Sequence, residues 1–217
     1  MLKVIVFDFD YTLGDSTNGI ALSINYALEQ LGHTIKNIEE IKKTIGLSLK
    51  ETYFSLTGNN DLKETEQFVK LFKDKADDVM VDNTILYAGV KETLSELKEN
   101  GYKIAIVTTK FHYRIDQILK KYNANKLIDL IVGAEDVSVE KPNPEGLLWA
   151  IDYLGIEKND VLYVGDSIVD AKTAENAKVK FAAVLTGTTS RAEFGSYRNV
   201  YIGKNVMDVC KNVLTLQ

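Results

Sequence analysis

The chain has 217 residues, 45% of them hydrophobic and 26% charged. That is an ordinary globular balance, which excludes a disordered chain and leaves room for one core plus a modest second unit. The formal net charge is −5 and no long basic run occurs, which argues against a nucleic-acid backbone as a partner but not against a small anion held in a local positive site. Residues 2–7 open the chain as an apolar, β-branched run. It reads as a strand buried on both faces, as in parallel sheets. The run is too short for a signal peptide or a membrane span, and acidic residues follow at once, so the expected place is the cytoplasm, away from any membrane.

A long stretch without a convincing strand comes next. Its apolar spacing is helical: Ile20, Ile24, Ala27, Leu28 and Leu31; then Ile38, Ile41 and Ile45; then Phe68, Leu71 and Phe72. It is too long for a loop, so it reads as an all-helical insertion over residues 15–86, with the core formed by residues 1–14 and 87–217. Gly14 and Gly89 stand at its two joints. Strand-like runs then recur at 102–107, 161–164 and 181–185, with weaker ones at 130–132 and 200–202. Helical patterns lie between them: Val90, Leu94 and Leu97, ended by Gly101; Ile115, Ile118 and Leu119; Leu147, Leu148, Ile151 and Leu154, ended by Gly155. This alternation predicts an α/β fold with a doubly wound, Rossmann-like parallel sheet. No internal repeat or low-complexity segment interrupts it. The single cysteine, Cys210, permits no internal disulfide and reads as a buried helix residue. The two histidines, His33 and His112, are far apart, which argues against a zinc site.

In open α/β sheets ligands bind beyond the carboxyl ends of the strands. There the sequence places Asp8 and Asp10, then Thr108 and Thr109, then Asp166 with Asp170 close behind, while Lys141 precedes a helix. Each alone has a plain reading as a turn, cap or surface residue. Together the carboxylates would crowd one edge. Two like charges about 4 Å apart repel by roughly 4 kcal/mol at an effective dielectric near 20. A bound divalent cation would remove that penalty, and an oxygen-only ligand set suits Mg²⁺.

The pattern resembles the haloacid dehalogenase superfamily, whose four motifs stand in order at residues 8–16, 106–110, 141–145 and 164–170. The helical insertion is similar to the cap of its phosphoglycolate phosphatase and β-phosphoglucomutase branch. By that resemblance Asp8 is the nucleophile, forming an aspartyl phosphate, and Asp10 is the acid and base. Thr108 and Lys141 hold the phosphoryl group. Mg²⁺ is held by Asp8, the backbone carbonyl of Asp10 and Asp166, with Asp170 near the metal. The resemblance implies a phosphatase acting on a small phosphorylated metabolite. A phosphosugar mutase remains the alternative within it, and a receiver-type phosphoacceptor domain the alternative outside it. Haloacid dehalogenation is disfavoured because it lacks a carboxylate at the place of Asp10. A phosphonate hydrolase would need a cap lysine as Schiff base, for which Lys36, Lys42, Lys43 and Lys50 are available. Two departures stand out: Tyr11 where the family usually has Gly, and Ala88 where Pro is common. Thr109 joins the expected substrate contacts. So do Gly46, Leu47, Ser48 and Lys50, although residues 46–49 read equally well as an ordinary helix–helix turn. The sequence does not indicate the oligomeric state.

Overall fold

The computed structural model describes residues 2–198 and 200–215. In chain order the strands are β1 (Val4–Phe7), β2 (Gly14–Asp15), β3 (Ile85–Leu86), β4 (Lys103–Val107), β5 (Leu130–Val132), β6 (Val161–Gly165), β7 (Lys180–Val184) and β8 (Tyr201–Gly203). The helices are α1 (Thr17–Gln30), α2 (Ile38–Lys42), α3 (Leu49–Thr57), α4 (Leu62–Val79), α5 (Val90–Glu99), α6 (His112–Lys121), α7 (Glu145–Leu154), α8 (Ile168–Ala177), α9 (Arg191–Phe194) and α10 (Val206–Thr215). The chain forms two compact units, one comprising residues up to Asp15 and from Leu86 onward, the other Ser16–Ile85.

The first unit is built on a six-stranded sheet in the order β5-β4-β1-β6-β7-β8. Every neighbouring pair in it runs parallel. Both faces are covered, which is why its strands read as continuous apolar runs. On one face Val4, Val6, Ala105, Val107, Tyr163 and Phe181 pack with Leu147, Ala150 and Ile151 of α7 and Ala171 and Ala174 of α8. The alternate residues Ile5, Phe7, Ile104 and Ile106 are equally buried, with α5 and α10 lying against the sheet. Full burial of each large apolar side chain contributes about 1.5–3 kcal/mol. Cys210 lies buried on α10, and burial pushes its thiol up to about 12, so it is an inert packing residue.

The second unit is helical. Ile20, Ile24 and Leu28 of α1 pack with Tyr53 of α3 and with Phe68, Phe72 and Ala76 of α4. Ile38, expected on the same stripe, is exposed, because Asn37 caps α2 there and leaves Ile41 to face the core. The start of α3 is fixed by a capping box between Ser48 and Glu51. Short strands β2 and β3 pair where the chain passes between the units, a feature that two-residue runs do not announce in sequence. Among the described residues, no helix is long and apolar enough to cross a membrane.

Candidate active site

Phe7, the last residue of β1, is level with Ile106 of β4 and Val164 of β6. The chain segments after these three strands therefore leave the sheet side by side. Asp8 donates its backbone N–H to the Val164 carbonyl at 2.9 Å, and Thr108 donates its own to Val132 at 3.0 Å. Asp166 follows β6 directly, and Asp170 sits in the first turn of α8.

Lys141 joins these segments from the loop between β5 and α7. Its Nζ donates to Asp8 Oδ1 at 2.8 Å and to Asp170 Oδ1 at 2.6 Å, and lies 3.1 Å from the Tyr163 hydroxyl. Tyr163 lies 2.9 Å from the same Asp170 oxygen and 3.0 Å from the Val107 carbonyl. The other Asp170 oxygen accepts from the Ser167 hydroxyl at 2.6 Å and from the Ser167 N–H at 3.1 Å. Asp170 is thus the fully buried post that orients the lysine. On the far side of the cluster, Thr12 donates its hydroxyl to Asp166 Oδ1 at 3.2 Å.

The electrostatics follow from burial. Desolvation pushes the Asp8 carboxyl up to about 6; Lys141 pulls it down, while Asp170 and Asp10 push it further up. Desolvation, then Asp170 and Asp8, hold the Asp166 carboxyl well above the usual carboxylate range. Burial alone would lower Lys141, but Asp170 and Asp8 outweigh it and hold the ammonium well above its ordinary value. The Asp8, Asp166 and Asp170 carboxylates offer ligand atoms that all lie within 4.8 Å of one another, and all three residues are buried. Once ionised, the three carboxylates would face one ammonium and leave two negative charges in excess. That excess, on oxygen donors alone, fits a hard divalent cation.

Asp10 stands beside this cluster. Its Oδ2 pairs with Lys110 Nζ at 2.9 Å, with both side chains nearly buried. Its Oδ1 is buried and has no hydrogen-bond partner. An acceptor in that state costs about 1–3 kcal/mol, and a site built to exchange a proton with a bound molecule would account for it.

Tyr11 adopts φ 58, the left-handed region in which glycine is at ease. This explains why the family position is usually Gly, and holding a tyrosine there costs about 1–2 kcal/mol. Its phenol is buried, and its carbonyl accepts the Thr186 hydroxyl.

The structure brings Asp8, Asp10, Lys141, Asp166 and Asp170 together, and places Thr108, with half-buried Thr109 after it, at the end of the neighbouring strand β4. Gly46, Leu47, Ser48 and Lys50 belong to the other unit. There the Ser48 hydroxyl is occupied with Glu51 at 2.8 Å and Lys50 is exposed on α3. None of Lys36, Lys42, Lys43 and Lys50 is buried, and Lys42 pairs with Glu39 at 2.8 Å, so a desolvated Schiff-base lysine is not among these four.

Several contributors were not legible as site residues. Tyr163 reads as one more strand residue, although a tyrosine in an otherwise apolar run is a faint signal. Lys110 closes the second motif, but nothing in the sequence pairs it with Asp10. Gly187 gives no local signal at all, yet a Cβ on it would lie 1.9 Å from Asp166 Oδ2. Only backbone fits against that carboxylate.

A doubly wound sheet with this carboxylate and lysine centre defines a class of hydrolase, and sequence comparison agrees. The profile of the haloacid dehalogenase-like hydrolases matches residues 5–184, and the chain belongs to that family. Among its relatives, the pyrophosphatase PpaX of Bacillus mycoides (strain KBAB4) is 32% identical over 211 residues, covering 96% of this chain and 95% of the relative. The phosphoglycolate phosphatase of Aquifex aeolicus (strain VF5) is 32% identical over 186 residues, 86% of each chain. A crystal structure of a haloacid dehalogenase-like hydrolase from Bacteroides fragilis superposes with a TM-score of 0.93 at 41% identity, covering 96% of this chain and all of that one. The protein is a phosphatase of the haloacid dehalogenase type.

Proposed function

We propose that this phosphatase hydrolyses a small phosphorylated metabolite in two steps through a phosphorylated Asp8. The observation that carries the reading is the buried cluster of three carboxylates around Lys141. A divalent cation, Mg²⁺ by donor chemistry, would be held by Asp8, Asp166 and the backbone carbonyl of Asp10, with Asp170 close by. When bound, it supplies charge neutralisation for the phosphoryl oxygens.

In the first step an Asp8 carboxylate oxygen attacks phosphorus, and the bond from phosphorus to the leaving oxygen breaks. Asp10 gives its proton to that oxygen. In the second step Asp10 takes a proton from water as the water oxygen attacks phosphorus, and the bond to Asp8 breaks, restoring the carboxylate and releasing phosphate. Lys110 fixes one oxygen of Asp10, which leaves Oδ1 for the proton. Lys141 and Thr108 hold the phosphoryl oxygens, and Thr109 borders them. Lys141 is positioned for this by Asp170 and Tyr163, so little reorganisation is needed at the moment of reaction.

The helical unit is the cap. Within it, Gly46 and the Lys50 ammonium are the groups proposed to meet the leaving group, since the Ser48 hydroxyl is committed to Glu51 and the Leu47 N–H to the Thr44 carbonyl at 3.1 Å. The relatives named for pyrophosphate and phosphoglycolate make those two compounds the first to assay, alongside sugar phosphates and nucleotides. The test is phosphate release from this panel with Mg²⁺, after chelation, and in Asp8→Asn. The expected result is turnover lost on chelation and in the variant. Undiminished release after exhaustive chelation, or from Asp8→Asn, would overturn the reading. Transfer of phosphate to a second position of a sugar, in place of release, would identify a mutase.

A further inference from the structure

We propose that His112, Glu135 and Asp136 form a second metal site, at the surface of the core unit, that takes a divalent first-row transition metal of the zinc type. His112 is the first residue of α6, and Glu135 and Asp136 lie in the short turn after β5. The imidazole Nδ1 stands 2.7 Å from Asp136 Oδ2 and 3.7 Å from Glu135 Oε1. One ligand atom from each residue lies within 4.8 Å of the other two. Zinc bonds to imidazole nitrogen and carboxylate oxygen are about 2.0–2.2 Å long, so neighbouring donors on one ion stand roughly 3–3.5 Å apart. The 2.7 Å pair is now a hydrogen bond that an ion would replace, opening it slightly, and the 3.7 Å pair would close slightly onto the same ion.

Both carboxylates are already aimed. The His112 N–H donates to Glu135 Oε2 at 2.9 Å, which turns Oε1 toward the ring, and the Gly133 N–H donates to Asp136 Oδ2 at 2.8 Å. Outer contacts of this kind orient metal ligands. Gly133 makes room for this arrangement. A Cβ on it would lie 2.3 Å from the His112 nitrogen, 2.6 Å from Glu135 Oε2 and 2.8 Å from the Lys110 carbonyl. The glycine therefore leaves a cradle in which the Glu135 carboxylate comes against the start of α6. The separation of the two histidines in sequence is no obstacle, because the fold completes the site with carboxylates.

The donor set separates this site from the carboxylate centre. An imidazole with two carboxylates suits zinc, iron or manganese, whereas carboxylates alone suit magnesium. The side chains are 46%, 27% and 20% exposed, so an ion can enter from solvent. An ion here would tie the segment after β4, which carries Thr108 and Lys110, to the segment after β5. Those segments already meet where the Ala134 N–H donates to the Lys110 carbonyl at 3.1 Å. Occupancy would thereby steady the lysine that holds Asp10.

The test uses the whole protein saturated with Mg²⁺, so that the carboxylate centre is filled, and zinc chloride as the probe. The chain has two histidines, so both rings are resolved by ¹⁵N NMR, and His33 in the helical unit serves as an internal control. Zinc should move the His112 ring nitrogens as one equivalent is added and leave those of His33 in place. Calorimetric zinc affinity should fall at least about tenfold in His112→Gln and in Glu135→Gln, with the thermal midpoint in Mg²⁺ alone showing that each variant is folded. No movement of the His112 ring, movement of His33 instead, or equal affinity in folded variants would overturn the proposal and leave the cluster a helix-capping arrangement.

Discussion

Replacing Asp8 by Asn should abolish turnover and yet make the metal-free protein more stable. Burial, with Asp170 and Asp10 adding to it and Lys141 opposing, pushes the Asp8 carboxyl from 3.8 up to about 6. The folded value exceeds the unfolded one. Between them the folded state keeps a proton that the unfolded chain has released, so stability falls as pH rises through this window and stays lower above it. A shift of about two units at about 1.4 kcal/mol each is ~3 kcal/mol of instability at neutral pH. The amide carries no charge, and its oxygen can still accept from Lys141 in the place where the carboxylate does so at 2.8 Å. Lys141 loses one anionic partner, so the expected gain is about 2 kcal/mol, or roughly 4–8 °C in thermal midpoint for a chain of this size. The assay is thermal unfolding of both proteins in EDTA at about pH 7.5 and about pH 4. The gain should appear at the higher pH and vanish at the lower, where wild-type Asp8 is itself neutral. Saturating Mg²⁺ should narrow or reverse the difference, because only the wild type keeps its full ligand set. An Asn variant that melts at or below wild type at neutral pH in EDTA, or that gains equally at both pH values, would refute the reasoning.

Asp10→Asn should slow hydrolysis of alkyl phosphates by about 10²–10⁴-fold and that of p-nitrophenyl phosphate much less, because nitrophenolate leaves without a proton. Equal losses, measured as kcat on both substrates, would make Asp10 a supporting residue only. Gly187→Ala should weaken calorimetric Mg²⁺ affinity by about tenfold or more with the fold retained, since the new Cβ displaces Asp166; unchanged affinity would mean that the Thr186 segment yields. Tyr163→Phe removes a hydroxyl shared by Lys141, Asp170 and the Val107 carbonyl, and should cost about 1–3 kcal/mol in denaturant unfolding. Its kcat should fall less than that of Lys141→Ala, which removes the phosphoryl-binding group itself.

The sequence by itself determined the architecture and the identity of the polar residues at the sheet edge. Strands buried on both faces must be apolar along their length, so β1, β4, β6 and β7 are legible as runs, and Asp8, Thr108 and Asp166 stand out as the first polar residues after them. The order of the strands was not legible, because a parallel run carries no mark of its neighbour. Only the pairing of β1 with both β4 and β6 brings these ends level. Tertiary structure alone also decided which groups hold the others. Tyr163 looks like one more strand residue, and Lys110 like a motif end without a role, until their partners, Asp170 and Asp10, arrive from elsewhere in the chain. Gly187 is informative only because of what a side chain there would strike, and Tyr11 only because of its φ of 58. Local pattern records what each residue must bury; closeness between distant segments is fixed by packing, and the site lies where those segments meet.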